Sequence, residues 1–366
     1  MFRKEIWRHF DFFLFGAVTF LCIFGIIMIR SAIAGNANLE AQNLVQKQAI
    51  FVAAGMAIVV ILAIIDYRFW ASVSKPLFVF TIVFLAAILI AGKASFGAQR
   101  WLTVAGVDIQ PAEVAKIVII LVLADYFAKK ANAQKNVKWM LGSFLLLAAT
   151  VVWIVLQPNL STSIVMIVIW FSMLWISGLP PKYILILGVS AIVIFIVAFP
   201  FLEPYQQERI LSFVSSDPNA THGNEYNVNQ ALISIGSGGL LGQGYGNGTQ
   251  VQLRFLQVRQ TDYIFSAIAN EFGFVGTVVV IALLVFVILR CLRIARHAGD
   301  VYGAMISYGF AILIFFQTIV NIGVNLHVIP VTGLTLPFIS YGGSSLVSLL
   351  IGIGFIESVA VHQKTL

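Results

Sequence analysis

The chain has 366 residues, of which 60% are AVILMFWYC and only 10% are DEKR, with a mean hydropathy of +0.96. Soluble domains carry about 25% charged residues, so a water-soluble globule is excluded and an integral membrane protein is implied. The formal charge of +7 is spread over many short loops and not gathered on one face, which argues against nucleic acid as a partner and for a role in topology.

Apolar runs separated by polar or Pro/Gly punctuation predict ten membrane helices, each near the ~20 residues a bilayer requires. In chain order they are Phe12 to Met28, Ala49 to Ile65, Pro76 to Ala91, Ala112 to Phe127, Met140 to Leu156, Ser161 to Ile176, Tyr183 to Phe199, Ile264 to Leu289, Tyr302 to Asn325 and Ser340 to Val359. The expected fold is an all-α bundle forming one polytopic domain over residues 1–366, with a large extracytoplasmic loop, 202–262, between helices 7 and 8. Cys22 lies in an apolar run and Cys291 in a basic stretch, so both read as small apolar residues and not as a disulfide. The first apolar stretch lacks a small-residue cleavage pattern and reads as an uncleaved first helix.

An even number of spans puts both termini on one side. With the N-terminus cytoplasmic, the inside segments hold 14 Lys and Arg against 7 outside, and three of those seven lie in the long loop that the positive-inside rule does not count. Both termini are therefore expected in the cytoplasm. The short basic inner loops carry no Walker motif, no GxGxxG fingerprint and no HExxH, which leaves a nucleotide-driven pump or an intramembrane zinc protease without support.

The irregular sequence falls outside. After the polar run EPYQQER and SSDPNATHGNEYN come seven glycines, Gly236, Gly238, Gly239, Gly242, Gly244, Gly246 and Gly248, within 13 residues. Such density suits tight turns or close backbone approach rather than a regular helix. Val228, Ala231, Leu232, Ile233 and Ile235 punctuate the same loop and suggest a piece lying in the membrane interface.

Polar groups near the outer half of the membrane are the most informative, because burying an ionisable group there is costly and usually tied to function. Glu113 and Lys116 in QPAEVAK are three apart and share a helical face, where they form either a purely structural ion pair or part of a substrate site. Arg100 in FGAQRWL sits in the preceding outer loop. Gln157, Asn159 and Ser163 in QPNLSTS supply neutral hydrogen-bonding groups at a short hairpin, for which helix capping by Asn159 or Ser161 is the simpler reading. Asp262 in RQTDYIF is a lone carboxylate where the long loop enters the eighth helix, with Arg254 and Arg259 shortly before it. An Asp there can merely cap the helix, but a carboxylate among cations and glycine turns suits acid–base chemistry on an anionic lipid-linked substrate. Pro330, Gly333, Pro337, Gly342 and Gly343 interrupt the segment 321–345, as backbone lining a cavity does. The lone His327 within it reads as a polar filler rather than a proton carrier.

Taken together, FGAQRWL with QPAEVAK, QPNLSTS, ISIGSGGLLGQGYGNGTQ leading into RQTDYIF and NEFGFVG, and NIGVN with PVTGLTLPFISYGGSS resemble the signature blocks of the SEDS family (shape, elongation, division and sporulation). The blocks stand in the family's order, and within the family the chain is similar to the elongation member, with the division member as the rival. The resemblance implies a peptidoglycan glycosyltransferase that polymerises lipid II on the outer face of the bacterial cytoplasmic membrane, for cell elongation and shape. It also implies a class B penicillin-binding protein as crosslinking partner.

Carried over by position, the family's essential Asp is Asp262, its intramembrane ion pair is Glu113 with Lys116, and its outer-loop Arg is Arg100. Two departures stand out: Asn159 and Ser161 replace the Asp and Gly of the family's QPDLGT, and Gln257 replaces its Pro. If the usual Asp holds a cation, Asn159 moves that site toward Asp262 or removes it.

The implied chemistry inverts an α-linked donor to a β-1,4 product, so a single base suffices, and Asp262 is the expected one. The departing pyrophosphate calls for positive charge from Arg100, Lys116, Arg209, Arg254 or Arg259, or from a divalent metal such as Mg2+ or Mn2+. A lipid II flippase that forms no bond is the rival, since embedded charges also mark transport. Against it, the glycine run has no counterpart in the first half of the chain, and the polar groups gather on one side.

Overall fold

The computed structural model describes backbone at residues 7–35, 40, 42–91, 93–95, 98–104, 107–215 and 223–363, with side chains throughout these except at 90–100 and 103–107. The main helices are α1 (Phe12–Ile33), α2 (Leu44–Ile64), α3 (Arg68–Ala91), α4 (Pro111–Lys129), α5 (Val137–Val155), α6 (Leu160–Ile176) and α7 (Pro181–Ala198). Three short helices follow, α8 (Pro204–Val214), α9 (Gly223–Gly238) and α10 (Thr249–Gln252), and then α11 (Ile264–His297), α12 (Val301–Asn325) and α13 (Gly343–Val361). Each of the ten expected apolar segments is thus helical, and the chain is a multi-pass membrane protein.

Eight of these helices, α1, α2, α3, α5, α7, α11, α12 and α13, are long and apolar enough to cross a membrane. Of the other two, α4 carries Glu113, Lys116, Asp125 and Lys129, and α6 has 17 residues. Local chemistry sets several starts. Asp11, Asn136 and Asp300 cap α1, α5 and α12 by accepting the amides of Leu14, Trp139 and Gly303, while Pro stands in the first turn of α4, α7 and α8. The helix expected from Pro76 begins earlier, at Arg68, and carries the proline inside it.

Two features depart from a plain helical bundle. Between α3 and α4 the chain forms an antiparallel meander, β1 (Lys93–Ser95), β2 (Ala98–Val104) and β3 (Val107–Ile109), with Lys93 opposite Trp101 and Leu102 opposite Ile109. Much of the segment 202–262 is helical: α9 buries Val228, Ala231 and Ser234, and it packs along α11.

The glycine run has a definite task. Helix α11 is broken at Gly273 (φ 65°, ψ −163°), so the carbonyls of Asn270 and Glu271 lose their helical donors. The amides of Gln243 and Gly244 take their place at 3.0 and 2.9 Å, while the amides of Phe274 and Val275 turn to the carbonyls of Gly239 and Leu240 at 2.9 and 3.1 Å. The exchange gives these four backbone groups at the helix break new partners, as an apolar surrounding demands. It requires close approach, and a Cβ on Gly242 (φ 80°) would lie against the Glu271 carbonyl.

Helices α4, α12 and α13 form the centre, with most of their residues buried, whereas α7 has no buried residue at all. One end of the bundle carries the meander, α8 to α10 and the loop 326–342. The opposite end is tied by Arg68 to Asp300 at 2.9 Å and by Arg290 to Asp11 at 2.5 Å.

Candidate active site

Asp262 lies two residues before α11, at the end bearing the short helices, and is half-buried. Burial pushes its carboxyl up to about 6, opposed by the Arg209 guanidinium and a hydrogen bond with Thr261. Gly333 (φ 77°) fits between these two groups, where a Cβ would lie 3.8 Å from Asp262 Oδ2 and 3.9 Å from Arg209 Nη1. Arg209, on α8, donates to the Thr332 carbonyl at 3.2 Å, and Ser161 Oγ reaches the same carbonyl at 2.5 Å. Tyr205, also on α8, donates to the Pro158 carbonyl at 2.5 Å, so α8 is moored to the 157–163 hairpin.

The loop 326–342 and the first turn of α13 join these pieces. Ser340 Oγ donates to the Thr261 carbonyl at 2.7 Å, and the Tyr341 amide donates to the Gln260 carbonyl at 2.9 Å. Gln48 on α2 donates to the Ser340 carbonyl at 3.2 Å and accepts the Gly342 amide at 3.4 Å. Ser344 donates to the Asp108 carbonyl and accepts the Gln110 amide, tying in the end of the meander. On α12, Asn321 donates to the carbonyls of Asp262 and Leu334 at 3.0 and 2.8 Å, and Asn325 donates to the Asp262 carbonyl at 2.9 Å.

The remaining expected residues occupy distinct places. Lys116 pairs with Glu113 Oε2 at 2.8 Å in the buried first turns of α4, and Ser348 of α13 donates to the same oxygen at 2.9 Å. Gln157 donates to the Leu85 carbonyl at 3.0 Å, and Asn159 caps α6 by accepting the Thr162 amide at 3.3 Å. Arg259 is buried and donates to the carbonyls of Ala32 and Leu256, while Arg254 donates to the Gly35 carbonyl, so both guanidinia serve the end of α1. The backbone of Arg100 belongs to β2, and its side chain lies outside the described residues. His327 stacks edge-on against Phe213 at 5.4 Å between ring centres.

The family model described as a cell cycle protein, covering FtsW, RodA and SpoVE, matches residues 12–365. The chain belongs to the SEDS family. Among SEDS relatives, the peptidoglycan glycosyltransferase MrdB of Escherichia coli K12 is 32% identical over 370 residues, spanning 100% of this chain and 97% of that protein. The probable peptidoglycan glycosyltransferase FtsW of Geobacter metallireducens is likewise 32% identical over 370 residues, spanning 99% and 97%. Among solved structures, a chain of a peptidoglycan synthase complex that coordinates polymerization and crosslinking superposes with a TM-score of 0.83 at 28% identity, covering 97% of this chain and 99% of that one. The rod shape determining protein RodA of Thermus thermophilus gives a TM-score of 0.72 at 28% identity, with 97% of each chain covered.

The SEDS blocks that are far apart in sequence meet at one end of this bundle. Sequence reasoning did not single out Asn321, Asn325, Ser340 or Gln48, although the first three lie inside blocks it quoted. For Asn321, Asn325 and Gln48 the signal was polar residues within otherwise apolar helix, but where each amide aims is a matter of packing. For a divalent ion the donor set is poor. Among the described residues no three His, Cys, Asp or Glu side chains converge, and Asp262 faces a guanidinium instead of a second carboxylate. These residues do not fit a protein-held Mg2+ or Mn2+ site.

Proposed function

We propose that this SEDS peptidoglycan glycosyltransferase polymerises lipid II at the outer face of the bacterial cytoplasmic membrane, in the elongation role, with both termini cytoplasmic and Asp262 as general base. The single observation that carries the reading is the lone carboxylate held beside one guanidinium at the loop-bearing end of a membrane bundle.

The acceptor sugar's 4-hydroxyl attacks the donor's anomeric carbon, its proton passes to an Asp262 oxygen, and the bond from that carbon to the polyprenyl pyrophosphate breaks. Inversion needs one base and no carboxylate nucleophile, which agrees with Asp262 having, among the described residues, the Arg209 guanidinium and no second carboxylate among the charges that act on it. A carboxyl raised to about 6 is ionised at neutral pH yet basic enough to accept a proton in the transition state. Arg209, 3.9 Å from the same virtual Cβ as Asp262, is the guanidinium in place to offset charge on the leaving pyrophosphate.

The buried Glu113–Lys116 pair, anchored by Ser348 to α13, then acts from the adjoining helices as a fixed polar wall of the substrate site. A class B penicillin-binding protein is the proposed partner, supported by the similarity to a chain from a complex that couples polymerization to crosslinking.

The test gives purified protein and its penicillin-binding partner labelled lipid II, with and without Mg2+ or Mn2+, and resolves products on a gel. Glycan polymer is the expected result. Lipid II flipping in liposomes without any polymer would instead make the chain a transporter.

A further inference from the structure

Asp262 stands one position short of where α11 begins to count its own hydrogen bonds, and the reason lies on another helix. The first α11 turn closes with the Ala267 amide on the Tyr263 carbonyl at 3.2 Å. Had the helix begun one residue sooner, the Ser266 amide would donate to the Asp262 carbonyl. Instead, Ser266 N–H donates to Asn325 Oδ1 at 3.0 Å, and Asn325 Nδ2 donates to the Asp262 carbonyl at 2.9 Å. One side-chain amide from α12 has therefore been inserted between the two halves of a helical hydrogen bond, replacing it with two.

The inserted amide is itself fixed. Ser266 Oγ donates to Asn325 Oδ1 at 2.6 Å, and Asn325 Nδ2 also donates to the Asn321 carbonyl at 2.8 Å. One turn back, Asn321 adds a second donor to the Asp262 carbonyl at 3.0 Å and holds the Leu334 carbonyl at 2.8 Å, next to the Gly333 that faces the carboxylate. Asn270, on the same stretch of α11, turns instead to Ser237 at 2.8 Å and takes no part. Asn321 and Asn325 are both fully buried, so these amides have no water to exchange with.

We infer that Asn325 is a positioning residue for catalysis: its amide blocks the turn that would extend α11 by one residue and so keeps Asp262 from becoming the helix cap, with its carboxylate aimed at Gly333 and Arg209. The inference rests on the reading of Asp262 as the base. Asn321 completes the clamp and fixes the facing loop to the same point. Without the wedge the Ser266 amide can close on the Asp262 carbonyl, the helix gains a residue, and the carboxylate turns with its backbone.

The test measures polymerisation of labelled lipid II by the protein with its penicillin-binding partner, for Asn325→Leu, Asn321→Leu and Asp262→Asn. Asn325→Leu fills similar volume and leaves the Ser266 amide a backbone partner. Its kcat should fall by about a hundredfold, the cost of an ångström-scale misplacement, with KM for lipid II within about threefold of the parent. Its pH midpoint should also shift, because the Arg209 distance changes.

Asn321→Leu, which keeps the wedge and loses one donor, should lose about tenfold in kcat, and it provides the reading if Asn325→Leu is not recovered as monodisperse protein. A kcat and pH midpoint unchanged in the recovered variants would overturn the inference while leaving the base assignment intact, as would a uniform drop that tracks thermal inactivation alone. Full activity in Asp262→Asn would overturn the base assignment itself.

Discussion

At the residue scale, the balance of forces on Asp262 sets the expected pH dependence. Desolvation raises its carboxyl to about 6 and Arg209 pulls it down, so the ionised fraction, and with it the rate, should climb as pH rises through about 6 and level off above. Replacing Arg209 by Gln removes the lowering influence. The midpoint should then move to higher pH, and the plateau rate should fall as the leaving group loses its cation, both read from pH–rate profiles of lipid II polymerisation.

Asp262 was legible in the sequence because a lone carboxylate at a loop-to-helix junction is conspicuous in so apolar a chain. Its cation was harder to identify. Arg254 and Arg259 are its neighbours in sequence, yet their guanidinia go to the carbonyls of Gly35, Ala32 and Leu256, while Arg209, held from α8 on the Thr332 carbonyl, is the cation whose charge acts on the carboxylate. Proximity along the chain is a weak guide once a loop folds into helices of its own.

At the element scale, the exchange between the 239–244 turn and the broken α11 ties the loop to the helix that Asp262 precedes. Gly242→Ala should therefore destabilise the protein by at least about 1–3 kcal/mol from the left-handed backbone alone, with more from the contact with the Glu271 carbonyl. A drop in the thermal midpoint in detergent, with polymerisation lost at lower temperature than in the parent, would register it; an unchanged midpoint would mean the turn is pliable. At the far end, the Arg68–Asp300 pair is partly solvated, and its loss through Arg68→Ala should cost only about 0–1 kcal/mol.

Eight of the ten expected segments were readable because a helix in lipid must be long and apolar whatever its neighbours, while α4 and α6 are helical but charged or short. The meander was not, since strands such as Lys93–Ser95 and Val107–Ile109 are too short to show an alternating pattern. The glycine run announced close approach but not its partner, which is a helix break at Gly273, 25 residues beyond Gly248.

At the scale of the whole molecule, the architecture is polar at one end and braced at the other. The segment 330–348, the loop and the first turns of α13, gathers α2, α4, α8, the meander and the approach to α11, so the site is shared by elements from the whole length of the chain. The proposed orientation rests on the charge count and predicts that a single cysteine introduced at Ser215 reacts with a membrane-impermeant thiol reagent added to intact cells. One at Lys129 should react only after the cells are opened. The reverse pattern would invert the topology and put the carboxylate on the wrong side for lipid II polymerisation.

The central claim is that Asp262 takes the proton of the attacking hydroxyl, and the rate of glycan formation from labelled lipid II by the Asp262→Asn protein, assayed with its penicillin-binding partner, tests it most directly. The account predicts a fall of at least about a hundredfold, the usual weight of a general base, in protein that remains monodisperse and as heat-stable as the parent. Polymerisation at the parent rate would contradict it.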